Sequence, residues 1–281
     1  MQIIETVGEL LTYVENCKQK GIKSGLVPTM GALHEGHLSL VRKSLQDNDI
    51  TIVSIFVNPT QFNNPEDLAS YPRQQENDFK LLAKEGVDIV FAPTVDEIYP
   101  EDFNRNRKFN LGSVSEVMEG KYRPGHFQGV ALIVNRLFQL CRPTRAYFGM
   151  KDFQQIAVIR QLIKEEGLEI ELVACPIVRE DNGLALSSRN LLLNNHEREQ
   201  AASIHSTLEQ SRKIKSERGV AETTRWVTER LNEIPGFKVE YFEIVDGSTL
   251  LPIDDWSEAA HPVGCITVYV GKVRLIDNIE Y

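Results

Sequence analysis

The period of the apolar positions changes repeatedly along the chain. Over residues 7–20, Leu10, Leu11 and Val14 recur at helical spacing and Gly21 follows as a stop, which predicts an amphipathic helix. Residues 25–29 read as a short buried strand, and from Gly36 the positions Leu38, Leu40, Val41 and Leu45 return to the helical period. Residues 50–57 form a β-branched run of the kind found in a parallel sheet covered on both faces. The alternation continues with a helix over 76–84, a strand over 87–91, a helix over 130–140, a strand near 146–148, a helix over 153–165 and a strand over 171–175. Strands separated by helices of this length imply an α/β fold: a Rossmann-like, doubly wound parallel sheet with right-handed crossovers. Its ligands collect at the carboxyl ends of the strands. After a polar segment at 179–195 the order becomes helices at 196–213 and 221–231, then strands at 239–245 and 265–270. Helices followed by strands predict a smaller C-terminal α+β domain, dividing the chain into residues 1–178 and 179–281.

A chain of 281 residues supplies enough core to fold without covalent staples, and 42% hydrophobic with 25% charged residues is ordinary for a soluble protein. The net charge of −9 argues against a nucleic-acid-binding surface but leaves room for a local basic pocket holding a small anion. Cys17, Cys141, Cys175 and Cys265 are scattered with no Cys-x-x-Cys pair, which indicates neither a disulfide framework nor a thiolate zinc site. They read as reduced core residues. No basic segment precedes an apolar run near the N-terminus, and no stretch approaches the ~18 apolar residues of a membrane span. The expectation is a cytoplasmic protein with no membrane partner.

Chemistry-bearing residues fall at the predicted strand ends. Pro28-Thr29-Met30-Gly31-Ala32-Leu33-His34-Glu35-Gly36-His37-Leu38 joins a strand to a helix, and a helix start there offers N–H groups and a positive dipole end to an anion such as phosphate. His34 and His37, three residues apart, are placed to face one ligand. A zinc protease would need His-Glu-x-x-His, and the spacing here is one residue short with a glycine inside it. Capping and packing, or a metal pair, are the competing accounts of the two histidines.

The strand over 50–57 ends in Asn58-Pro59-Thr60-Gln61-Phe62, whose amides suit hydroxyls and carboxylates, although Asn-Pro is also ordinary turn chemistry. Tyr122-Arg123-Pro124-Gly125-His126-Phe127-Gln128-Gly129 places a cation and an imidazole before a helix, with a solvent-facing Arg123 as the alternative. In Tyr147-Phe148-Gly149-Met150-Lys151-Asp152-Phe153-Gln154-Gln155, Lys151 can meet a phosphate and Asp152 can cap the helix or bind a ribose hydroxyl. Gly183-Leu184-Ala185-Leu186-Ser187-Ser188-Arg189-Asn190 offers two hydroxyls and a guanidinium at the domain junction, suited to a mobile clamp on a polyphosphate or to a solvated turn.

Five of these segments, Pro28–His37, Phe56–Phe62, Arg123–Phe127, Phe148–Asp152 and Gly183–Asn190, occur together and in order, and on them the chain closely resembles the pantoate–β-alanine ligase family. The resemblance spans nearly the whole chain and thins over the last ~80 residues, where no motif marks it. It implies a nucleotidyltransferase domain with a His-x-x-His-type motif, a small C-terminal lid, a homodimer, and Mg2+ accompanying ATP. It also implies adenylation of pantoate by ATP, followed by attack of β-alanine to give pantothenate and AMP. By resemblance, His34, His37 and Lys151 contact ATP phosphates, Asp152 the ribose, and Ser187, Ser188 and Arg189 the β and γ phosphates. Gly149 and Val178 lie along the nucleotide, Gln61 and Gln155 hold pantoate, and Met30 lines the junction of the two ligands.

Asn58, Arg123 and His126 match motif positions whose roles the resemblance does not fix; no metal ligand is fixed either, with Asp78 as a candidate. Two residues depart from the family pattern: Met150 replaces the usual acid before Lys-Asp, and Asn182 the usual Asp before Gly-Leu-Ala. The first step needs charge stabilisation more than a general base, because a carboxylate is already ionised at neutral pH. His34, His37, Lys151 and Arg189 are therefore read as electrostatic stabilisers. A transferase acting on a phosphorylated acceptor, or a non-catalytic nucleotide-binding regulator, are the other readings; the amides at 61 and 155 disfavour the former, and Lys151 with the 187–189 clamp the latter.

Overall fold

Neighbouring residues of one strand enter different cores: Leu26 and Val27, Ile52 and Val53, Ile89 and Val90, and Ala146 and Tyr147 divide between two apolar clusters. Strand side chains alternate faces, so a sheet covered on both sides produces the unbroken apolar runs seen in the sequence. The computed structural model describes residues 1–281. Its first part runs β1 (Gln2–Ile4), α1 (Val7–Gln19), β2 (Ser24–Thr29), α2 (Glu35–Asp47), β3 (Ile50–Ile55), α3 (Pro65–Ser70), α4 (Gln75–Glu85), β4 (Ile89–Phe91), α5 (Val95–Ile98) and α6 (Glu119–Tyr122). It continues with α7 (His126–Cys141), β5 (Arg145–Gly149), α8 (Phe153–Glu165), β6 (Glu171–Cys175), α9 (Asn195–Ile214), α10 (Val220–Asn232), β7 (Phe237–Asp246), β8 (Pro262–Val270) and β9 (Val273–Glu280).

The first six strands form a parallel sheet in the order β1-β4-β3-β2-β5-β6. Residues of α1, α7 and α8 pack on one face, and α2 and α4 on the other through Leu38, Val41 and Leu82. From β2 the chain moves outward through β3 and β4, whereas β5 and β6 lie on the opposite side of β2. The strand order thus reverses between β2 and β5, and ligands of open α/β sheets bind outside the carboxyl ends of the strands at such a point.

In the first part of the chain, α7 and β4 start two or more residues from their expected positions. Gly125 takes a left-handed φ of 84° as the N-cap of α7, so that helix opens at His126, a turn before its apolar stretch. Asp88 turns its carboxylate to the Thr51 amide at 2.8 Å, and pairing of β4 with β3 begins only at Ile89. The C-terminal part packs α9 and α10 on the antiparallel sheet β7-β8-β9, with Ile204, Leu208, Val227 and Leu231 against Phe242, Ile266, Val268 and Leu275. A small cluster of Met118, Tyr241, Val245, Leu250, Val263 and Cys265, with Phe153 against it, joins that sheet to the rest. All four cysteines are unpaired and three are buried. No helix is long and apolar enough to cross a membrane.

Candidate active site

The turn after β2 is held from below by Asp78. Gly31 and Ala32 adopt φ of 79° and 49°, and the Asp78 carboxylate accepts the Ala32 and Leu33 amides at 2.9 and 2.7 Å. Asp78 is fully buried, with an acceptor oxygen on each amide. Asp78, the candidate metal ligand of the sequence, thus holds a backbone amide on each oxygen, and it lines neither of the two cavities described below. Asp78→Ala would strand two buried amides and is expected to lower stability by roughly 2–6 kcal/mol, at roughly 1–3 kcal/mol per unpaired group, with Asp78→Asn losing less. Urea unfolding of the two variants measures this.

That turn delivers His34 as the N-cap of α2, where its Nδ1 accepts the Gly36 amide at 3.1 Å. His37 Nδ1 accepts the His34 amide at 3.3 Å, and the ring centroids lie 4.0 Å apart. Since each Nδ1 is an acceptor, each neutral ring carries its proton on Nε2. Burial, then the Lys151 charge, lowers the His34 pKa to about 4; burial, His34 and Lys151 lower that of His37 well below its usual value. The Gly36 and His37 amides are both taken within the turn, by His34 Nδ1 and the His34 carbonyl. With these two amides occupied, the imidazole Nε2–H groups are the side-chain donors this junction offers an anion.

Lys151 and Asp152 lie in the turn between β5 and α8, and Asn278 on β9 donates to the carbonyls of Met150 and Lys151 at 2.9 and 3.0 Å. Asp152 occupies the N-cap position of α8 without a side-chain cap bond. Its carboxylate, about half exposed, is therefore left for another partner. Ser187 caps the short helical turn that follows it, and Ser188 Oγ donates to the Ala32 carbonyl at 3.0 Å, tying this segment to the turn below His34. Arg189 pairs with Asp67 of α3 at 2.8 Å and lies over the Tyr71 ring, so it is no solvated turn residue.

The amides cluster nearby. Asn58 is buried, receives the Tyr99 hydroxyl at 2.9 Å and donates to the Gly129 carbonyl and to Gln61 Oε1, both at 3.1 Å. Gln61 Nε2 donates to Met30 Sδ at 2.9 Å, and a Cβ on Gly129 would meet the Gln61 Cα at 2.7 Å, so glycine allows the amide-bearing turn to sit against α7.

One cavity of about 220 Å³, over the carboxyl ends of β2 and β5, brings these groups together. Met30, His34, His37, Asn58, Gln61 and Gly149 line it, as do Lys151, Asp152, Gln155, Val178 and the segment Ser187, Ser188 and Arg189. Arg123 and His126 line instead an adjoining cavity of about 70 Å³, which shares Lys151, Asp152, Gln155, Ser187 and Arg189 with the first. Sequence reasoning missed Asp67, Glu119, Arg274 and Asn278, each of which acts through a partner distant in the chain. Met150 packs against the main core and lines neither cavity. Asn182 Oδ1 accepts the Leu184 amide at 3.0 Å, a turn bond that an aspartate would make equally.

A sequence model of the pantoate-beta-alanine ligase family matches residues 2–280. The chain belongs to that family. It is 54% identical to pantothenate synthetase of Porphyromonas gingivalis and 51% identical to that of Bacteroides fragilis, covering 100% of this chain and 99% of each relative. Pantothenate synthetase of Thermus thermophilus is similar in structure, with a TM-score of 0.92, 43% identity and 99% of each chain covered. Pantoate-beta-alanine ligase of Francisella tularensis, solved with beta-gamma ATP and beta-alanine, gives 0.84 and 38% over 99% of this chain and 97% of that one. The family is thus one of ligases, and the α/β architecture is shared with its solved members.

Proposed function

We propose that this chain is an ATP-dependent ligase that joins pantoate to β-alanine through a pantoyl adenylate, releasing pyrophosphate and AMP. The observation carrying this reading is a single cavity lined by two chemically different sets of side chains. His34, His37, Lys151, Ser187, Ser188 and Arg189 supply donors and cations for a polyphosphate; Asn58, Gln61 and Gln155 supply uncharged amides for a hydroxy acid. Met30, bonded to Gln61 and followed by the turn to His34, stands between them.

In the first step an ionised pantoate oxygen attacks the α-phosphorus, a new acyl–phosphate bond forms, and the bond to the β-phosphate oxygen breaks. Negative charge spreads over phosphate oxygens, so fixed donors lower the barrier without a proton shuttle. Lys151 and Arg189 act as cations and the two imidazoles as neutral N–H donors. Asp152, free of a capping bond, takes a ribose hydroxyl, with Gly149 and Val178 along the nucleotide. In the second step the neutral amine of β-alanine attacks the acyl carbon, the nitrogen loses a proton, and the bond to AMP breaks.

Magnesium enters with ATP. The cavity is lined by one carboxylate, Asp152, and no three His, Cys, Asp or Glu side chains gather for a metal. That donor set suits an ion carried largely by substrate phosphates. Residues 179–281 serve as a lid over residues 1–178, with Ser187–Arg189 closing on the phosphates and water excluded from the adenylate. The working form is read as a cytoplasmic homodimer on the family resemblance. Incubation with ATP, pantoate and β-alanine, followed by mass detection, should yield pantothenate and AMP in equal amounts. Folded protein that makes no pantothenate under these conditions overturns the proposal.

A further inference from the structure

One buried carboxylate outside the ATP-facing set gathers donors from every strand of the C-terminal sheet. Glu119 Oε1 accepts Tyr241 Oη of β7 at 2.9 Å, Thr267 Oγ1 of β8 at 3.0 Å and Arg274 Nη2 of β9 at 2.7 Å. Its Oε2 accepts Arg274 Nη1 at 2.8 Å and Arg123 Nη1 at 3.4 Å. Burial alone would raise this carboxyl, but the Arg274 guanidinium outweighs it and holds the pKa at about 2. Glu119 is therefore a carboxylate at any working pH.

On its other side the contacts lead back to the amide set. Arg123 Nη1 lies 3.2 Å from His126 Nε2, and His126 Nδ1 lies 2.8 Å from the Gln61 carbonyl oxygen. A guanidinium can only donate, so Nε2 must accept, and the proton on Nδ1 is donated to Gln61. Burial, then the Arg123 charge, lowers the His126 pKa to about 4, which keeps this neutral tautomer in place.

The backbone around Glu119 is shaped to aim it. Met118 holds a φ of 42°, a region unfavourable to a side chain, and is 1% exposed in the cluster between the two sheets. A Cβ on Gly120 would fall 1.9 Å from the Ser115 carbonyl oxygen, and the Glu119 amide donates to Gln154 Oε1 at 3.0 Å. Chain conformation on both sides is thus fixed by contacts that leave the carboxylate pointing at Arg274 and Arg123.

We propose that Glu119 is a positioning residue for the acid-substrate site: it fixes Arg123, Arg123 fixes the His126 tautomer, and His126 holds the backbone of Gln61. Placement of β7, β8 and β9 is thereby transmitted to a residue on the far side of the domain junction. The inference rests on the reading of Gln61 as a pantoate residue.

The test is steady-state kinetics with thermal unfolding of Glu119→Gln and Arg123→Met. Arg123→Met leaves the Arg274–Glu119 pair intact and remains informative if Glu119→Gln does not fold. Each is expected to raise the KM for pantoate about tenfold, the scale of one lost charge-assisted hydrogen bond, and to hold the KM for ATP within about twofold. In the Arg123→Met background, His126→Asn, whose amide can donate to Gln61 without Arg123, should bring the pantoate KM back toward wild type, and His126→Ala should not. Equal rises in both KM values, or no change in either, would overturn the proposal. Gln61→Ala separates the two layers: an unchanged pantoate KM there removes the reading of Gln61 and the proposal with it. A raised one beside unaffected Glu119→Gln and Arg123→Met removes the proposal alone.

Discussion

Lys151→Ala is expected to slow pantoate-dependent ATP–pyrophosphate exchange by about 10²- to 10³-fold, the usual scale for removing one fixed group that stabilises transition-state charge. The expectation follows from what the side chain does and does not hold. Its backbone carbonyl is bound by Asn278, and the side chain, 17% exposed, contributes a 3.8 Å contact with Asp152 as its ion pair. A single long contact to a half-exposed carboxylate adds little to stability, so the fold should survive the substitution. Its charge, however, reaches both imidazoles and the space over the carboxyl ends of β2 and β5. Exchange kinetics beside thermal unfolding separates the outcomes: a large rate loss with an unchanged Tm supports the assignment, and full exchange contradicts it.

His37→Ala is expected to produce a loss of similar size, about 10²- to 10³-fold, and here the chemical detail can be tested. The structure makes His37 a neutral donor through Nε2, with Nδ1 occupied by the His34 amide. Glutamine places an amide N–H near the Nε2 position, so His37→Gln should recover part of what His37→Ala loses. If His37 acted as a proton shuttle, glutamine would recover nothing. The pH dependence follows from the same neutrality. With the His34 pKa at about 4, kcat/KM for ATP, which reports the free enzyme, should show no inflection near the ordinary histidine pKa of ~6.5 from this pair. Stability behaves differently: between ~6.5 and about 4 the unfolded chain binds protons at His34 and His126 that the folded chain refuses. That contribution is complete above ~6.5 and is lost as pH falls through this window.

Much of the first domain was legible because local and global signals agree there. Over 153–165 and 171–175 the expected helix and strand coincide with α8 and β6, α1 and α4 end within one residue of expectation, and α2 begins within one. Of the two strands that escaped, β9 is interrupted by the buried polar pair Asp277 and Asn278, with Asp277 in the register of the apolar Val273, Leu275 and Ile279. Both have long-range partners, Arg179 for Asp277 and the turn at Lys151 for Asn278, which a pattern of hydrophobic positions cannot register. β1 is three residues at the sheet edge and carries too short a signal. In the site, most of the residues singled out at the strand ends are gathered by the fold around one cavity, but the backbone contacts of Asp78 could not be read from sequence. A carboxylate near a phosphate motif reads as a candidate metal ligand, and the backbone amides it serves become visible only in the fold. Glu119 carried no signal at all, since its meaning depends on Arg274, 155 residues away.

The adenylate itself is the central claim, and isotope transfer tests it most directly. With both carboxylate oxygens of pantoate labelled with 18O, attack on the α-phosphorus puts one labelled oxygen in the bridge. Amine attack at the acyl carbon then leaves that oxygen on the phosphate. Mass spectrometry of a completed reaction should find one 18O in AMP, one in pantothenate and none in pyrophosphate. Unlabelled AMP with the missing oxygen in pyrophosphate or inorganic phosphate would place the attack elsewhere on the polyphosphate and contradict the account.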